Sequence, residues 1–404
     1  MRAAGTSGYA QSVAYVSRQL RAAGYRPRLH RFSFDYFRET APTVFDRVSP
    51  GTRRYERGPD FVTMRYSGGG DLTAQVIPVD LTSSSSGCEP SDFAGFPRGS
   101  VALMRRGGCT FSQKAGTAAA SGAAAALIAN DGSPGRTAPI SATLVVRVQI
   151  PVMIISSEVA AELARLAHIG PVNVRIVLSV RTTRARGANV IADLPGRRPG
   201  VVLLGAHLDS VANGPGINDN GSGSALVLEV ARQARRLRIR PRHGLRFAFW
   251  DAEEIGLVGS TAYVNGLTST QRSRIRAVLN LDMVGSPNFA RLVYDGAGQP
   301  AGSQRIENAY RAHFAARRLA VEEASLGGGS DHAAFARAGI PVGGLFTGAD
   351  EVKSAELARR FGGSAGQAFD ACYHKACDTV ANVDFGILDQ MADAAAVVAL
   401  RLAR

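Results

Sequence analysis

Lysine is scarce: of 47 basic residues only Lys114, Lys353 and Lys375 are lysines, and the others are arginines. The net charge of +14 therefore rides on guanidinium groups spread along 404 residues. The densest clusters, 235–242 and 181–186, are short and lack the interleaved aromatics on which nucleobases stack. A solvated arginine-rich surface explains the charge better than a nucleic-acid partner does. No window of about 18 uninterrupted apolar residues occurs, which excludes a helical membrane span. No long-period repeat is present. The opening stretch MRAAGT has one basic residue and no apolar centre, so it does not read as a signal peptide.

Cysteines are few as well, at 88, 109, 372 and 377. Two fall in each half, and three pairings are possible. Cys372 and Cys377 are near enough to staple a short loop, and Cys88 and Cys109 bracket a loop and a strand. An exported, extracellular protein in an oxidising compartment fits this usage best, with four reduced core cysteines as the alternative. Export without a signal peptide implies a misplaced start or a lost upstream segment.

What is abundant is glycine, 45 residues gathered in short loops rather than in a linker. Hydrophobic residues make up 45% and charged ones 20%, as in ordinary globular proteins. The length suits two or three domains with a large core. A helical pattern over about 8–23 carries Val13, Val16 and Leu20 and stops near Gly24. A strand through Leu29, Phe32 and Phe34 follows. From roughly 44 to 182 short β-like runs (101–104, 151–155) alternate with Gly/Ser-rich turns and an alanine-rich helix near 113–125. From about 187 apolar strands at 189–194, 201–205, 245–250, 277–282 and 342–346 alternate with helical patterns at 225–237, 268–274 and 304–317. Fully apolar strands separated by helices predict an α/β fold with a mixed, largely parallel central sheet flanked by helices.

Polar residues gather where those strands end, the place where open α/β sheets build their sites. In order they are GAHLDS (205–210), GINDNGSG (216–223), the adjacent Glu253 and Glu254 in WDAEEIGLVGS, NLDMVG (280–285), Ser330-Asp331-His332 and Cys372-Tyr373-His374-Lys375. Each piece alone has an ordinary explanation. A histidine after a strand is commonly a core or surface residue, an aspartate there a turn former, and Asn220 or Ser222 a helix cap. Together, imidazoles and several carboxylates at successive strand ends are the ligand chemistry of zinc. More carboxylates than one tetrahedral ion needs suggests two ions sharing a bridge.

GAHLDS, GINDNGSGS, WDAEEIGLVGS, NLDMVGSPN, GGSDHAAF, PVGGLFTGA and CYHKACD resemble the M28 metallopeptidases, especially the secreted Streptomyces-type double-zinc aminopeptidases. The similarity covers roughly 1–40 and 187–404. The middle of the chain resembles a protease-associated (PA) domain through RRGGCTF (105–111), Lys114, Gly122-Ala123 and IAND (128–131). The resemblance implies a discontinuous peptidase domain, 1–43 and 183–404, of the α/β/α sandwich type, interrupted by a β-rich PA domain over 44–182.

It further implies a site of two Zn2+ per chain. Asp219 would bridge the ions, with His207 and Asp282 on one and Glu254 and His374 on the other. Asp209 would orient the imidazole of His207. Glu253 would stay unligated as general base, and Tyr373 would donate to the developing oxyanion. A bridge between Cys372 and Cys377 would hold Tyr373 and His374 in place. Asp331 and His332 would support the substrate pocket, while His30, His168, His243 and His313 match no motif. The implied activity is hydrolysis of N-terminal, large apolar residues from peptides, by a monomer with no nucleic-acid or membrane partner. A departure is Gly329, where close relatives carry a substrate-holding arginine. The rivals are another zinc hydrolase or acyltransferase on this scaffold, such as a carboxypeptidase or a single-zinc glutaminyl cyclase, and a non-catalytic binding ectodomain.

Overall fold

The structure, a computed structural model, describes residues 1–133, 136–140, 142–144, 146–325 and 327–404. The chain divides into two compact units, Met1–Phe34 with Ala185–Arg404, and Asp35–Arg184. It passes between them within the strands Arg28–Glu39 and Val180–Leu194.

The first unit is built on an eight-stranded sheet. Its central four strands, His243–Trp250, Arg198–His207, Ile275–Leu281 and Val342–Phe346, lie side by side and run parallel. Side chains alternate across the sheet, so Val202, Leu204 and Ala206 enter one apolar cluster and Leu203 the other. The larger cluster packs helices Ser7–Ala22, Gly223–Arg236, Ser303–Ala316 and Phe385–Leu402 against one face. Helices Val258–Asn265 and His332–Arg337 cover the other through Tyr263, Val264, Ala334 and Phe335. Both faces are dry, which is why these strands read as unbroken apolar runs.

This topology places the site. The chain leaves Arg198–His207 for the strand on one side and then crosses to Ile275–Leu281 on the other. Connections that diverge at a carboxyl end open a crevice there. Register brings the polar ends level: His207 pairs with Trp250, and Gly205 with Asn280, so His207 stands level with Asp282.

The second unit carries its own eight-stranded sheet, with Gly70–Pro78, Val101–Arg105, Ala125–Ala129 and Val152–Ile155 parallel at its centre. Cys88 and Cys109 form a disulfide in this unit, and Cys372 and Cys377 form one in the first. The alanine-rich helix is shorter than its composition predicts, spanning Phe111–Ala120. Gly122, at φ 87°, turns the chain, and the next alanines begin the buried strand Ala125–Ala129. A final helix beyond those expected from the sequence, Phe385–Leu402, is capped by Asp384, which accepts from the Ile387 amide. Among the described residues no helix is long and apolar enough to cross a membrane.

Candidate metal centre

Five side chains from five separate segments converge beyond the sheet. His207 ends its strand, Asp282 follows Leu281, and Glu254 lies four residues past Trp250. Asp219 sits in the turn Ile217–Ser222 before a long helix, and His374 in the loop closed by Cys372 and Cys377. Asp219 stands at the middle. Its Oδ1 is 3.1 Å from His207 Nε2, and its Oδ2 is 3.0 Å from His374 Nε2. His207 Nε2 is also 3.2 Å from Asp282 Oδ1, and His374 Nε2 is 3.1 Å from Glu254 Oε2. One carboxylate thus faces two imidazole–carboxylate pairs, one from each oxygen.

Nearly all of this is sheltered from water. The His207 side chain is 2% exposed, Asp219 6%, Glu254 7% and Asp282 14%, while His374 at 39% forms the open side. Burial disfavours charge, and the groups answer by their neighbours. Burial raises the Asp219 pKa less than hydrogen bonds from His207 and His374 lower it, so it stays below the usual carboxylate range. Glu254, with one imidazole and Asp219 beside it, is pushed up to about 7 by burial and like charge. Burial would lower His374, but bonds to Asp219 and Glu254 lift it to about 10. His207 is raised in the same way against its burial, chiefly by Asp282 and Glu253. Glu254 Oε1 is buried with no hydrogen-bond partner. His207, Asp219 and Glu254 offer ligand atoms all within 4.8 Å of one another. A buried set of hard oxygens and imidazoles with an unmet acceptor fits zinc.

A second ring of polar groups fixes these side chains. Asp209, fully buried, accepts from the amides of Glu253 and Glu254 at 3.1 and 3.3 Å. It therefore anchors the acidic pair as well as standing beside His207, whose Nδ1 is 3.2 Å from the Asp209 carbonyl and 3.6 Å from its carboxylate. Ser330 donates to Asp282 Oδ2 at 2.6 Å and in turn accepts from Asn280 at 2.8 Å. Asp378 accepts from the amides of Asn218 and Asp219 at 2.8 and 3.1 Å. Asp370 accepts from the Cys372 amide and the Asn218 amide group, tying the His374 loop to the Asp219 turn. Gly214 lets those loops touch: a Cβ there would fall 2.3 Å from the Lys375 carbonyl oxygen.

Glu253 and Glu254 diverge. Glu254 meets His374, whereas Glu253 lies in the field of His207, Asp331 and Asp282, and no side-chain hydrogen bond or ion pair among the described residues engages its carboxylate. Burial, with those acids and Glu254, holds its pKa well above the usual value against the pull of His207. The turn between Trp250 and the pair is made at Ala252, φ 59°. His374 and Met283, next to Asp282, also take left-handed conformations, at 58° and 49°. Tyr373 stacks on the His374 ring with centroids 3.8 Å apart, and burial keeps its hydroxyl protonated. His332 stands apart from the cluster, 4% exposed and edge-on to Tyr294. Its pKa is lowered by burial to about 4.

Sequence reasoning assigned no part to Asn218, Asn280, Ser330 or Asp378, although all lie inside the quoted motifs. Asp370 and Arg2 lie outside them, and nothing local marked either.

The sequence profile of peptidase family M28 matches residues 189–399, and that of the PA domain matches 72–163. An aminopeptidase of Pseudomonas aeruginosa (strain UCBPP-PA14) is 41% identical over 412 residues, covering 98% of this chain and 76% of that protein. A probable leucine aminopeptidase 2 of Aspergillus fumigatus is 36% identical, covering 95% and 75%. The solved aminopeptidase from Aneurinibacillus sp. strain AM-1 superposes with a TM-score of 0.82 at 25% identity, over 100% of this chain and 90% of that one. A zinc aminopeptidase from Bacillus subtilis gives 0.68, also at 25%, over 98% and 89%. The chain belongs to peptidase family M28.

Proposed function

We propose that the protein is a two-zinc aminopeptidase that removes N-terminal residues, large apolar ones by preference, from peptides. The observation that carries this reading is Asp219, which offers one oxygen to the His207–Asp282 pair and the other to the Glu254–His374 pair. His207 and Asp282 would hold one ion, Glu254 and His374 the other, and Asp219 would bridge them. Bound there, the ions supply an activated water and polarise the scissile carbonyl. Glu253, with its carboxylate unengaged, would accept a proton from the attacking water and return it to the departing amine. The protonated hydroxyl of Tyr373 donates to the oxyanion as it forms. Glu253 and Asp282 also offer negative charge to a free α-ammonium, which favours chain ends over interior bonds.

The names of the relatives support the preference for leucine-like residues. The catalytic domain is assigned 1–43 and 183–404 and the PA domain 44–182, boundaries that differ from those of the two compact units, Met1–Phe34 with Ala185–Arg404 and Asp35–Arg184. Two disulfides fit an exported protein, working as a monomer. The test pairs elemental analysis with leucine anilide and its N-acetylated form. The expected result is two zincs per chain and cleavage of the free-amine substrate alone. Cleavage of the blocked form overturns the exopeptidase reading, and a single zinc points to the cyclase-like rival.

A further inference from the structure

Arg2 lies 205 residues before His207 in sequence, yet it touches the backbone on which the centre is built. Its Nε–H donates to the Leu208 carbonyl at 3.0 Å, Nη1 to Pro215 at 2.5 Å and Nη2 to Gly216 at 2.7 Å. Its amide donates to Ser210 Oγ at 2.9 Å, and its carbonyl accepts from the Ser210 amide at 3.3 Å. The three carbonyls are informative by position. Leu208 separates His207 from Asp209. Gly216, in the left-handed region at φ 65°, opens the turn that carries Asp219. One planar fork therefore joins the strand end bearing His207 to the turn bearing Asp219, whose side chains meet at 3.1 Å.

Among the described residues Arg2 forms no ion pair, and its guanidinium donors go to backbone oxygens. Burial weakens its hold on its proton, against attraction from Asp209, Asp219, Asp378 and Glu254. The same cation thus also faces the anionic centre. Asp378 braces the Asp219 turn from its other side through the Asn218 and Asp219 amides.

We infer that Arg2 is a positioning residue of the metal centre, setting the distance between His207 and Asp219 by clamping the carbonyls of Leu208, Pro215 and Gly216. This rests on the two-zinc reading. Residues that orient metal ligands commonly change metal affinity or activity by about 10–100-fold when lost. Lysine cannot replace such a clamp, because its single ammonium presents no planar fork.

The experiment compares the parent with Arg2→Ala and Arg2→Lys, each checked for folding by circular dichroism and thermal melting. The readouts are the rate at which a chelator strips zinc, and kcat and KM on leucine anilide. In Arg2→Ala we expect zinc loss to quicken, and kcat to fall, by about tenfold or more. KM should move far less, since the clamp touches no substrate. Guanidinium ion added to this variant should recover part of kcat. Arg2→Lys, which keeps the charge and most of the length, should fold and still lose zinc quickly. A folded Arg2→Ala with parental zinc retention and kcat overturns the inference. So does an Arg2→Lys variant that matches the parent, which would leave only a charge effect. If the parent itself binds no zinc, the underlying reading has failed instead.

Discussion

Two adjacent carboxylates at Glu253 and Glu254 are tolerable because they face different partners. Glu254 shares His374 with Asp219, while Glu253 keeps its carboxylate unengaged in a buried, acid-rich field. The amide groups behind both are held by one residue, Asp209. Their backbone is therefore set before either side chain acts, and the left-handed Ala252 is the cost of that turn. Division of labour at this scale makes a sharp prediction. Glu253→Gln keeps shape and polarity but cannot take a proton, so kcat should drop by about 10²–10⁴. Zinc content should stay at the parental value. Turnover of leucine anilide alongside metal analysis checks both, and parental turnover rejects Glu253 as the base.

At the scale of elements, rigid strands carry His207 and aim Asp282, whereas Tyr373 and His374 ride on a loop. That loop is fixed by the Cys372–Cys377 bridge, by Asp370 beneath it and by its contact at Gly214. Closing so short a ring adds only about 2 kcal/mol through chain entropy, so its global effect is modest. Its local effect is larger, because His374 sits inside the ring in a left-handed conformation that the free chain would leave. Cys372→Ser with Cys377→Ser should therefore cost at least about tenfold in kcat while lowering Tm by only a few degrees. Melting curves and anilide kinetics on the same sample decide it. Unchanged kinetics would show that the loop needs no staple.

For the whole molecule, acid stability follows from imidazoles that burial keeps neutral, with His332 Nδ1 and His313 Nε2 left without a hydrogen-bond partner. Burial holds His332 at about 4, with Asp282 pulling up and Arg337 pushing down, and burial also lowers His30 and His313. An unfolded histidine titrates near 6.5, so between these values the unfolded chain binds more protons. Stability is then full above about 6.5 and drains as pH falls toward 4. For His332 the loss by pH 5 is about 2 kcal/mol, or roughly 4–8 °C in Tm. Melting from pH 7 to pH 5 should lower Tm of the parent by that much more than of His332→Gln. Equal slopes would place the acid sensitivity elsewhere.

The order of strands and helices was legible because dry, two-sided burial writes itself into short windows. The apolar runs at 201–205 and 245–250 correspond to strands buried on both faces. The polar residues at strand ends were legible through short motifs for the same reason. The helix Phe385–Leu402 is hard to see in the sequence, its alanine-rich face giving little contrast, although it supplies Ile387, Met391 and Val398 to the core. Folding alone brought Arg2 beneath Leu208 and Gly216, Asp370 beneath Cys372 and Asp378 beneath Asp219. It also gave each oxygen of Asp219 its own imidazole. Apolar periodicity is a local property of the chain, printed within a few turns. A tertiary hydrogen bond is a relation between groups as many as 214 positions apart, and nothing in either neighbourhood records its partner.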